Sequence, residues 1–333
     1  MAEILFIKTS SLGDVIHHMP ALTEARRRLP DAQLAWVVEE AFAPLVRLHP
    51  AVNEVVPVAL RRWRRGALAP ATWAQAARFV LTLRSHRYDA IVDTQGLALK
   101  SAVFAGLARG PRHGYDADSI RERAATWFYD VRHRVACDLH AIARNRALTG
   151  HALGYAPRGP IDFGLERAVL ADRPAEAYGI LLHATARPEK EWPQASWMAL
   201  ASVLRARGTA LVLPWGTAAE RSRSEQIAAG LKDSHVSVPE RQPLDAMARL
   251  IAGASFVIGV DTGLLHLAAA LGVPLVAIFV GSEPGLTGPM GAGPIAVVGG
   301  QRQLPPVAEV VAAFDSLSSH HPPRQNPPRQ NSA

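Results

Sequence analysis

Side chains able to do proton chemistry follow the first apolar run of the chain, in the segment KTSSLGD at residues 8–14. Asp14 stands there after two serines and a glycine, where a helical pattern begins. It suits two roles: the N-terminal cap of that helix, or a general base that takes a proton from a substrate hydroxyl. The segment alone favours the cap. It is not a P-loop, because no Gly-Lys-Ser/Thr closes it, and its single glycine does not make a dinucleotide fingerprint.

A second group of polar residues lies in VDTGLLHLAAALGVP, residues 260–274, between an apolar strand and a helix. The start of a helix presents free backbone N–H groups and the positive end of its dipole, and Gly263 allows an anion to approach closely. Asp261 and Thr262 precede that glycine, and His266 follows in the helix. The pattern predicts an anion site, although a plain cap at Asp261 and a half-buried His266 are the simpler alternatives.

Two further loops follow apolar strands in the same half of the chain. The segment HATARPEKEWP at residues 183–193 carries Thr185 and two cations, Arg187 and Lys190. Two cations on such a loop suit a diphosphate, whereas the glutamates on either side of Lys190 favour an ordinary solvated loop. After PWG, Glu220 offers a carboxylate for ribose hydroxyls, and an exposed glutamate in the first turn of a helix is an equally good interpretation.

A dense positive patch occurs in the N-terminal half, in the segment LRRWRRG at residues 60–66. It follows a predicted strand, and that position favours an anion site over a solvated helix face. Arg121 adds another cation to this half. The patch itself consists of Arg61, Arg62, Arg64 and Arg65 around Trp63.

Metal and dinucleotide patterns are weak in this sequence. Asp116 and Asp118 form a D-x-D, which is common by chance, and the 13 histidines show no convincing zinc spacing. Residues 291–296 fit G-x-G-x-x-A, but they follow no predicted strand, and Pro294 does not suit an uninterrupted helix. We therefore expect no metal and no cofactor, and a dehydrogenase is disfavoured.

The elements that must position these residues alternate along the chain. Continuous apolar strands separated by amphipathic helices are typical of parallel sheets covered on both faces. The alternation occurs twice, which predicts an α/β protein of two Rossmann-like, doubly wound domains. A Gly- and Pro-rich stretch at 150–165 is the expected hinge. We predict domains at residues 1–155 and 156–318, followed by a disordered tail at 319–333 with a tandem PPRQN. The predicted strands are 4–8, 34–40, 54–60, 88–94, 178–185, 209–215, 255–261 and 274–280.

Composition narrows the function classes. The 333 residues include one cysteine and no apolar run near the ~20 residues that span a bilayer, so we expect a cytoplasmic globular protein without disulfides. Residues 1–150 carry 21 Lys and Arg against 14 Asp and Glu, whereas residues 151–333 carry 15 of each. This excess predicts that the N-terminal half meets an anion: a nucleic acid, a membrane surface or a phosphorylated substrate. Nucleic-acid binding is disfavoured because the cations lie in scattered loops rather than in a continuous stripe with aromatics.

Taken together, the quoted segments resemble a known family. KTSSLGDVIHHMPAL, WVVEEAF, VVPVALRRWRR, YDAIVDTQGLALKSA, RHGYD, HATARPEKEWP, PWG and VDTGLLHLAAAL are similar, in order, to the lipopolysaccharide heptosyltransferases of glycosyltransferase family 9. The resemblance covers about residues 4–285. The segments TSSLGDVIH and RRWR favour the heptosyltransferase I group over heptosyltransferase II, which stays the alternative.

The resemblance implies a GT-B fold, in which two Rossmann-like domains face each other across a cleft. It also implies inverting, metal-independent transfer of L-glycero-D-manno-heptose from ADP-heptose to the first Kdo of Kdo2-lipid A. The partners would be these two substrates and the anionic inner face of the bacterial inner membrane, where the enzyme would be peripheral. No nucleic acid is expected as a partner.

Site residues follow from the resemblance position by position. Asp14 would be the catalytic base, with Lys190 as the second catalytic residue. A second threonine is expected at position 186, where this chain has Ala186, so one donor contact is missing. The donor site, with Arg187 added as the other cation of its loop, would consist of Thr185, Arg187, Lys190, Glu220, Asp261, Thr262, Gly263 and His266. The acceptor site would consist of Ser10, Ser11, Gly13, Arg61, Arg62, Arg64, Arg65 and Arg121.

Overall fold

The computed structural model describes residues 1–171 and 176–318, and its regular structure is two parallel sheets with helices on their faces. The predicted tail at 319–333 lies outside the described residues. The strands of the first sheet are β1 Glu3–Ile7, β2 Gln33–Glu39, β3 Glu54–Val58, β4 Ala90–Asp93, β5 Arg112–Tyr115 and β6 Val131–His133. The strands of the second sheet are β7 Tyr178–Leu182, β8 Ala210–Val212, β9 Val236–Ser237, β10 Phe256–Val260, β11 Leu275–Phe279 and β12 Ile295–Gly299.

Helices connect the strands on both faces of each sheet. Short 3₁₀ turns occur at Arg123–Phe128, Pro188–Lys190 and Gly285–Thr287, and a π-helical turn at Ala98–Ala102. The first six α-helices are α1 Leu12–Arg28, α2 Ala43–Val46, α3 Leu60–Arg65, α4 Pro70–Ser85, α5 Val103–Leu107 and α6 Ala141–Leu153. The remaining six are α7 Arg167–Leu170, α8 Gln194–Ala206, α9 Ala218–Leu231, α10 Leu244–Gly253, α11 Gly263–Ala270 and α12 Val307–Ser318.

Both sheets have the same strand order. The first runs β3-β2-β1-β4-β5-β6, and the second, read from its other edge, runs β9-β8-β7-β10-β11-β12. Counted within each sheet, both orders are 3-2-1-4-5-6, which is the Rossmann arrangement, and the predicted two-domain GT-B architecture is confirmed. In this arrangement the chain reverses direction across the sheet between the first and fourth strands, and ligands bind in the crevice there.

One apolar cluster is shared by the two sheets, and each sheet has a further cluster on its other face. Along β1, Ile4 and Phe6 point into a cluster that also contains residues of the second sheet, such as Leu182 and Val257, whereas Leu5 and Ile7 point to the opposite face. This alternation follows from the two-residue period of a strand. Helix α1 and helix α11 both lie in the shared cluster and pack against each other. The two sheets are therefore joined through helices that begin at the predicted site.

None of the helices within residues 1–171 and 176–318 is long and apolar enough to span a bilayer. Helix α1 begins at Leu12, with Ser11 as its N-cap and Asp14 completing the capping box in its first turn. The segment LRRWRRG, for which the sequence favours an anion loop over a helix face, forms the short helix α3 directly after β3.

Candidate active site

Asp14 lies in the first turn of helix α1, whose N-cap is Ser11, and one of its two carboxylate oxygens takes part in the capping hydrogen bonds. Its Oδ2 accepts hydrogen bonds from the Ser11 backbone N–H at 2.8 Å and from the Ser11 hydroxyl at 2.9 Å. In the described part of the chain, no hydrogen bond involves the other oxygen, Oδ1. The sequence places Asp14 at the N-cap, whereas in the structure Ser11 is the N-cap and Asp14 is the third helical residue, whose side chain completes a capping box. This position does not exclude the role of base, because one oxygen is enough to accept a proton.

The loop before Asp14 is held by Gln95, which follows β4. The Gln95 Oε1 accepts from the backbone N–H groups of Thr9 at 2.6 Å and Ser10 at 3.2 Å, and from the Thr9 hydroxyl at 3.0 Å. Its Nε2 donates to the Ser10 carbonyl. Gln95 thus fixes the loop after β1 to the loop after β4, across the crevice of the first sheet.

Charged groups lie buried beneath this loop. Lys8 is buried and donates to the Thr94 carbonyl at 3.0 Å; burial lowers the pKa of its ammonium, and the nearby carboxylates of Asp14 and Asp93 oppose that shift. Burial also raises the pKa of the Asp93 carboxyl, which accepts a hydrogen bond from the Tyr129 hydroxyl at 2.7 Å. These groups make the floor of the loop polar and hydrogen-bonded rather than apolar.

In the second sheet, Asp261 joins the loops after β7 and β10. Its Oδ2 accepts from the Lys190 ammonium at 2.5 Å and from the Ser282 hydroxyl at 2.8 Å. Its backbone carbonyl accepts from the Thr185 hydroxyl at 2.9 Å. Three of the predicted donor residues, Thr185, Lys190 and Asp261, are thereby brought together at one point of the crevice.

The N-termini of α1 and α11 meet where the two sheets face each other. A Cβ on Gly263 would lie 2.7 Å from the Cβ of Leu12, and a Cβ on Gly13 would lie 3.0 Å from the Cδ2 of His266. Both distances are shorter than ordinary Cβ contacts, so glycine at these two positions allows the close approach. Asp14, Asp261 and Lys190 consequently all lie near His266, whose Nε2 is 4.0 Å from the Asp261 Oδ1.

Three histidines line this contact. The Nε2 of His17 lies 3.2 Å from the Nδ1 of His266, and the ring of His17 packs edge-on against that of His140. Burial, with a smaller contribution from His266, lowers the pKa of His17 to about 2, and burial also lowers that of His266 against the opposing effect of Asp261 and Asp14. Both rings are therefore neutral at neutral pH, so one must donate to the other. His140 donates from Nε2 to the Gly288 carbonyl at 3.1 Å and so ties α6 to the second sheet.

Glu220 forms a capping box at the start of α9. Its Oε2 accepts from the backbone N–H groups of Gly216 at 2.7 Å and Thr217 at 3.1 Å, and its own N–H donates to the Thr217 hydroxyl at 3.3 Å. These hydrogen bonds fit the alternative interpretation, in which Glu220 is a structural residue in the first turn of a helix. Contact of Glu220 with ribose stays a prediction. Arg187 is exposed on its loop.

The predicted acceptor arginines lie on the surface of the first half. Arg62 forms a two-pronged ion pair with Glu40 at 3.0 and 2.8 Å, and the guanidinium of Arg61 lies 5.3 Å from the centre of the Phe42 ring. Arg64 and Arg65, at the end of α3, are exposed, as is Arg121 after β5. They follow strands whose carboxyl ends share an edge with Ser10 and Ser11, but their contact with an acceptor stays a prediction.

The D-x-D segment forms a turn. The Asp116 Oδ1 accepts from the Ser119 N–H at 2.9 Å, and hydrogen bonding to Ser119 lowers the pKa of the Asp116 carboxyl. Across residues 1–171 and 176–318, no group of three or more His, Cys, Asp and Glu side chains is arranged to hold a metal ion.

Several residues of this site are not apparent from the sequence motifs. Gln95 follows β4 and Ser282 follows β11, so the rule that ligands bind after strands could have found both. His17 and His140 carry no comparable signal, because only the meeting of the two halves brings them beside His266. Chemically, the first half offers the Asp14 carboxylate, and the second half offers the Lys190 ammonium with the backbone N–H groups at the N-terminus of α11.

Comparisons with known proteins fit this geometry. Residues 76–312 match the sequence profile of Glycosyltransferase family 9 (heptosyltransferase). Lipopolysaccharide heptosyltransferase 1 of Pseudomonas aeruginosa is 44% identical over 291 residues, which are 87% of this chain and 81% of that protein. The solved structure of the E. coli heptosyltransferase WaaC with ADP superimposes with a TM-score of 0.88 and 37% identity, covering 95% of this chain and 99% of the other. WaaC with ADP-2-deoxy-2-fluoro heptose gives a TM-score of 0.84 and 36% identity, over 96% of this chain and 100% of the other.

Proposed function

The chain belongs to glycosyltransferase family 9 and is a glycosyltransferase, and from that premise we propose that it is a heptosyltransferase I of lipopolysaccharide core synthesis. It transfers L-glycero-D-manno-heptose from ADP-heptose to the first Kdo of Kdo2-lipid A. The donor is supported by the WaaC structures, which hold ADP and a fluorinated ADP-heptose. The acceptor is supported by the lipopolysaccharide heptosyltransferases 1 that this chain resembles over most of its length.

The observation that carries the proposal is the meeting of α1 with α11. Around His266 it brings together the Asp14 carboxylate from the first half and the Asp261–Lys190 pair, at 2.5 Å, from the second. On this basis we place the hydroxyl nucleophile beside Asp14 and the diphosphate leaving group beside Lys190, on opposite faces of one sugar. We assign residues 1–155 to the acceptor and residues 156–318 to the donor on the same basis.

The reaction is a single displacement. Asp14 takes the proton of the Kdo hydroxyl as that oxygen forms its bond to the anomeric carbon of heptose. The bond from the same carbon to the diphosphate oxygen breaks, its electron pair leaves with ADP, and the configuration inverts because attack and departure are on opposite faces.

Negative charge that develops on the diphosphate is stabilised by groups already fixed in place. The Lys190 ammonium and the backbone N–H groups of Thr262 and Gly263, at the N-terminus of α11, supply positive charge there. Thr185, Glu220 and the exposed Arg187 complete the donor site. These groups do the electrostatic work for which other transferases use a divalent ion, so transfer should not need one.

The acceptor side is basic for a reason that follows from the substrate. Kdo2-lipid A presents carboxylates and phosphates, and the arginines after β3 together with Arg121 offer guanidinium groups that bind such anions. The acceptor is anchored in a membrane, so the enzyme works as a peripheral protein at the cytoplasmic face. An anionic membrane attracts basic residues with about 1 kcal/mol each.

The testing experiment measures heptose transfer from ADP-heptose to Kdo2-lipid A by the unmodified protein and by Asp14→Asn, with and without EDTA. Loss of the base should lower kcat by roughly 10²–10⁴-fold. Ser11→Ala is the comparison variant, because it removes one of the two hydrogen bonds to Asp14 and keeps the carboxylate. Since Ser11 is also a predicted acceptor residue, its effect should fall on the KM for the acceptor, whereas Asp14→Asn should lower kcat. A melting curve for each variant separates lost chemistry from a lost helix cap.

Three results would overturn parts of the proposal. Full activity of Asp14→Asn would reduce Asp14 to a cap. Transfer to a heptosylated acceptor but not to Kdo2-lipid A would assign the chain to heptosyltransferase II. Abolition of transfer by EDTA would refute metal independence and return attention to Asp116 and Asp118.

A further inference from the structure

Large apolar side chains are exposed around the basic helix α3. Leu68, in the loop after α3, is 99% exposed, Trp73 in the first turn of α4 is 69% exposed, and Leu99 in the π-helical turn after β4 is 77% exposed. Single exposed apolar residues are common on protein surfaces. A group of three large exposed apolar side chains near one edge of a sheet is less common. Such a group marks an interaction surface.

The topology puts these residues at the same edge as Asp14. All strands of the first sheet are parallel, so the segments that follow their carboxyl ends lie along one edge. Leu68 and Trp73 come 10 and 15 residues after the end of β3 at Val58, before α4 turns back. Leu99 comes six residues after the end of β4 at Asp93, and Asp14 follows β1 in the same way.

The elements that carry the three residues form one packed layer. Trp63 of α3 contacts Phe79 of α4 with ring centres 5.8 Å apart, and Phe79 contacts Phe104 of α5 at 5.2 Å. The π-helical turn that carries Leu99 is tied to the loop after β5, because the Ala98 N–H donates to Glu122 at 2.8 Å. The helices and the turn that carry or flank the exposed residues therefore form one continuous support.

Cations lie on the same segments as the apolar residues. The guanidinium groups of α3 are exposed, and so is that of Arg121, which follows β5. We define the docking rim as the three apolar residues Leu68, Trp73 and Leu99 with the cations Arg61, Arg62, Arg64, Arg65, Lys100 and Arg121.

We propose that the docking rim binds the surface of an anionic lipid bilayer, with Leu68, Trp73 and Leu99 inserted below the headgroups. Leucine and tryptophan beside arginine and lysine are the composition of surfaces that lie in a membrane interface, where the aromatic ring sits at headgroup level. Charge complementarity selects anionic lipid over a second copy of this chain, whose own rim carries the same positive charge.

Docking through this rim also places the catalytic edge against the membrane. Asp14 would then face the plane from which the sugar of a lipid-anchored acceptor projects, and this step rests on the proposed function. The arginines then have two anionic neighbours, the acceptor and the surrounding headgroups. The three apolar residues have no part in the proposed chemistry, so they can be changed without touching it.

The test is sedimentation of the full chain with vesicles of phosphatidylglycerol and phosphatidylethanolamine, compared with phosphatidylcholine, in the absence of both substrates. The double variant Leu68→Ser/Trp73→Ser should weaken binding to the anionic vesicles roughly tenfold or more. Leu81→Ser is the matched control: Leu81 is 69% exposed, but it lies eight residues after Trp73 in α4, toward the opposite edge. It should bind like the parent. Transfer to a deacylated, water-soluble acceptor should be unchanged in all variants.

The outcomes separate this proposal from the proposed function. Anionic-selective binding that falls in Leu68→Ser/Trp73→Ser and survives in Leu81→Ser supports the rim even if no heptose is transferred. The proposal is overturned if the parent does not bind vesicles, or if Leu68→Ser/Trp73→Ser and Leu81→Ser bind them equally, even when heptose transfer is normal. Loss of self-association in the double variant, without vesicle binding by the parent, would assign the surface to a second copy and would also overturn it.

Discussion

At the scale of single residues, the two cations of the donor loop differ in what they touch. Lys190 bonds to Asp261 at 2.5 Å with both side chains mostly buried, whereas Arg187 is exposed. We expect Lys190→Met to lower transfer roughly 10²–10³-fold, because it removes charge from the leaving group and leaves Asp261 without its cation. Steady-state kinetics with varied ADP-heptose measures this.

Arg187→Met is the matched variant, since it removes a neighbouring cation of similar length. An exposed charge is screened by water and salt, so a loss below about tenfold is expected. If Arg187→Met lowers the rate of transfer as much as Lys190→Met does, the diphosphate is bound mainly outside the crevice. Lys190 is then not the main cation that stabilises the leaving group.

The His17–His266 hydrogen bond gives a second prediction at this scale. The Nε2 of His17 makes the bond, and the amide nitrogen of glutamine can occupy the same place, whereas that of asparagine corresponds to Nδ1. We expect His17→Gln to keep the affinity for ADP and His17→Asn to weaken it roughly 5- to 100-fold, because a buried nitrogen of His266 loses its partner. Calorimetric titration with ADP measures both affinities. Equal affinities in the two variants would show that His17 only fills space.

At the scale of elements, the crossing of α1 and α11 depends on glycine. Gly263→Ala would put a methyl group 2.7 Å from the Leu12 Cβ, so the helices must move apart. Overpacking of this kind costs about 1–3 kcal/mol. We expect a lower melting temperature and weaker ADP binding, measured by calorimetry.

The swap Gly263→Ala/Leu12→Gly tests the cause. It removes the atoms that the new methyl group would meet, so it should recover part of the ADP affinity. If the double variant binds ADP no better than Gly263→Ala alone, the methyl group blocks the nucleotide directly and not the approach of the helices.

The same elements show what the sequence can and cannot predict. Long apolar strands such as β1, β2 and β10 are predicted within one or two residues, because their runs are continuous and buried. The strands β5, β6, β9 and β12 are not predicted. β9 has two residues and β6 three, both at sheet edges, while RHGY in β5 pairs through its backbone with few apolar side chains to mark it.

The candidate site divides in the same way. Residues that follow the strands at each crevice, such as Asp14, Lys190 and Asp261, are predicted by their position in the chain. The histidine contact between the halves is not, because His17 and His266 lie 249 residues apart and meet only when the two sheets pack together. Local periodicity carries no information about that packing.

At the scale of the whole molecule, the fold buries imidazoles as neutral groups in both halves. Burial lowers the pKa of His17 to about 2 and those of His49 and His183 to about 4, and it lowers that of His18 as well. An unfolded chain holds these rings at a pKa near 6.5. Between pH 6.5 and about 4 the unfolded state therefore binds more protons than the folded state, and the free energy of unfolding falls as the pH falls.

Each such ring contributes about 1.4 kcal/mol per pH unit, and a typical folded domain has only about 5–15 kcal/mol of stability. We therefore expect urea unfolding midpoints to drop steeply from pH 7 to pH 5, before most carboxylates titrate. His49 makes the sharpest probe, because it lies far from the reaction, between the Thr23 hydroxyl at 3.1 Å and the Ala51 N–H at 3.2 Å. His49→Gln should reduce the slope of the unfolding free energy against pH by about 1.4 kcal/mol per unit, since glutamine takes up no proton. An unchanged slope in this variant would mean that the acid sensitivity of the protein comes from other groups.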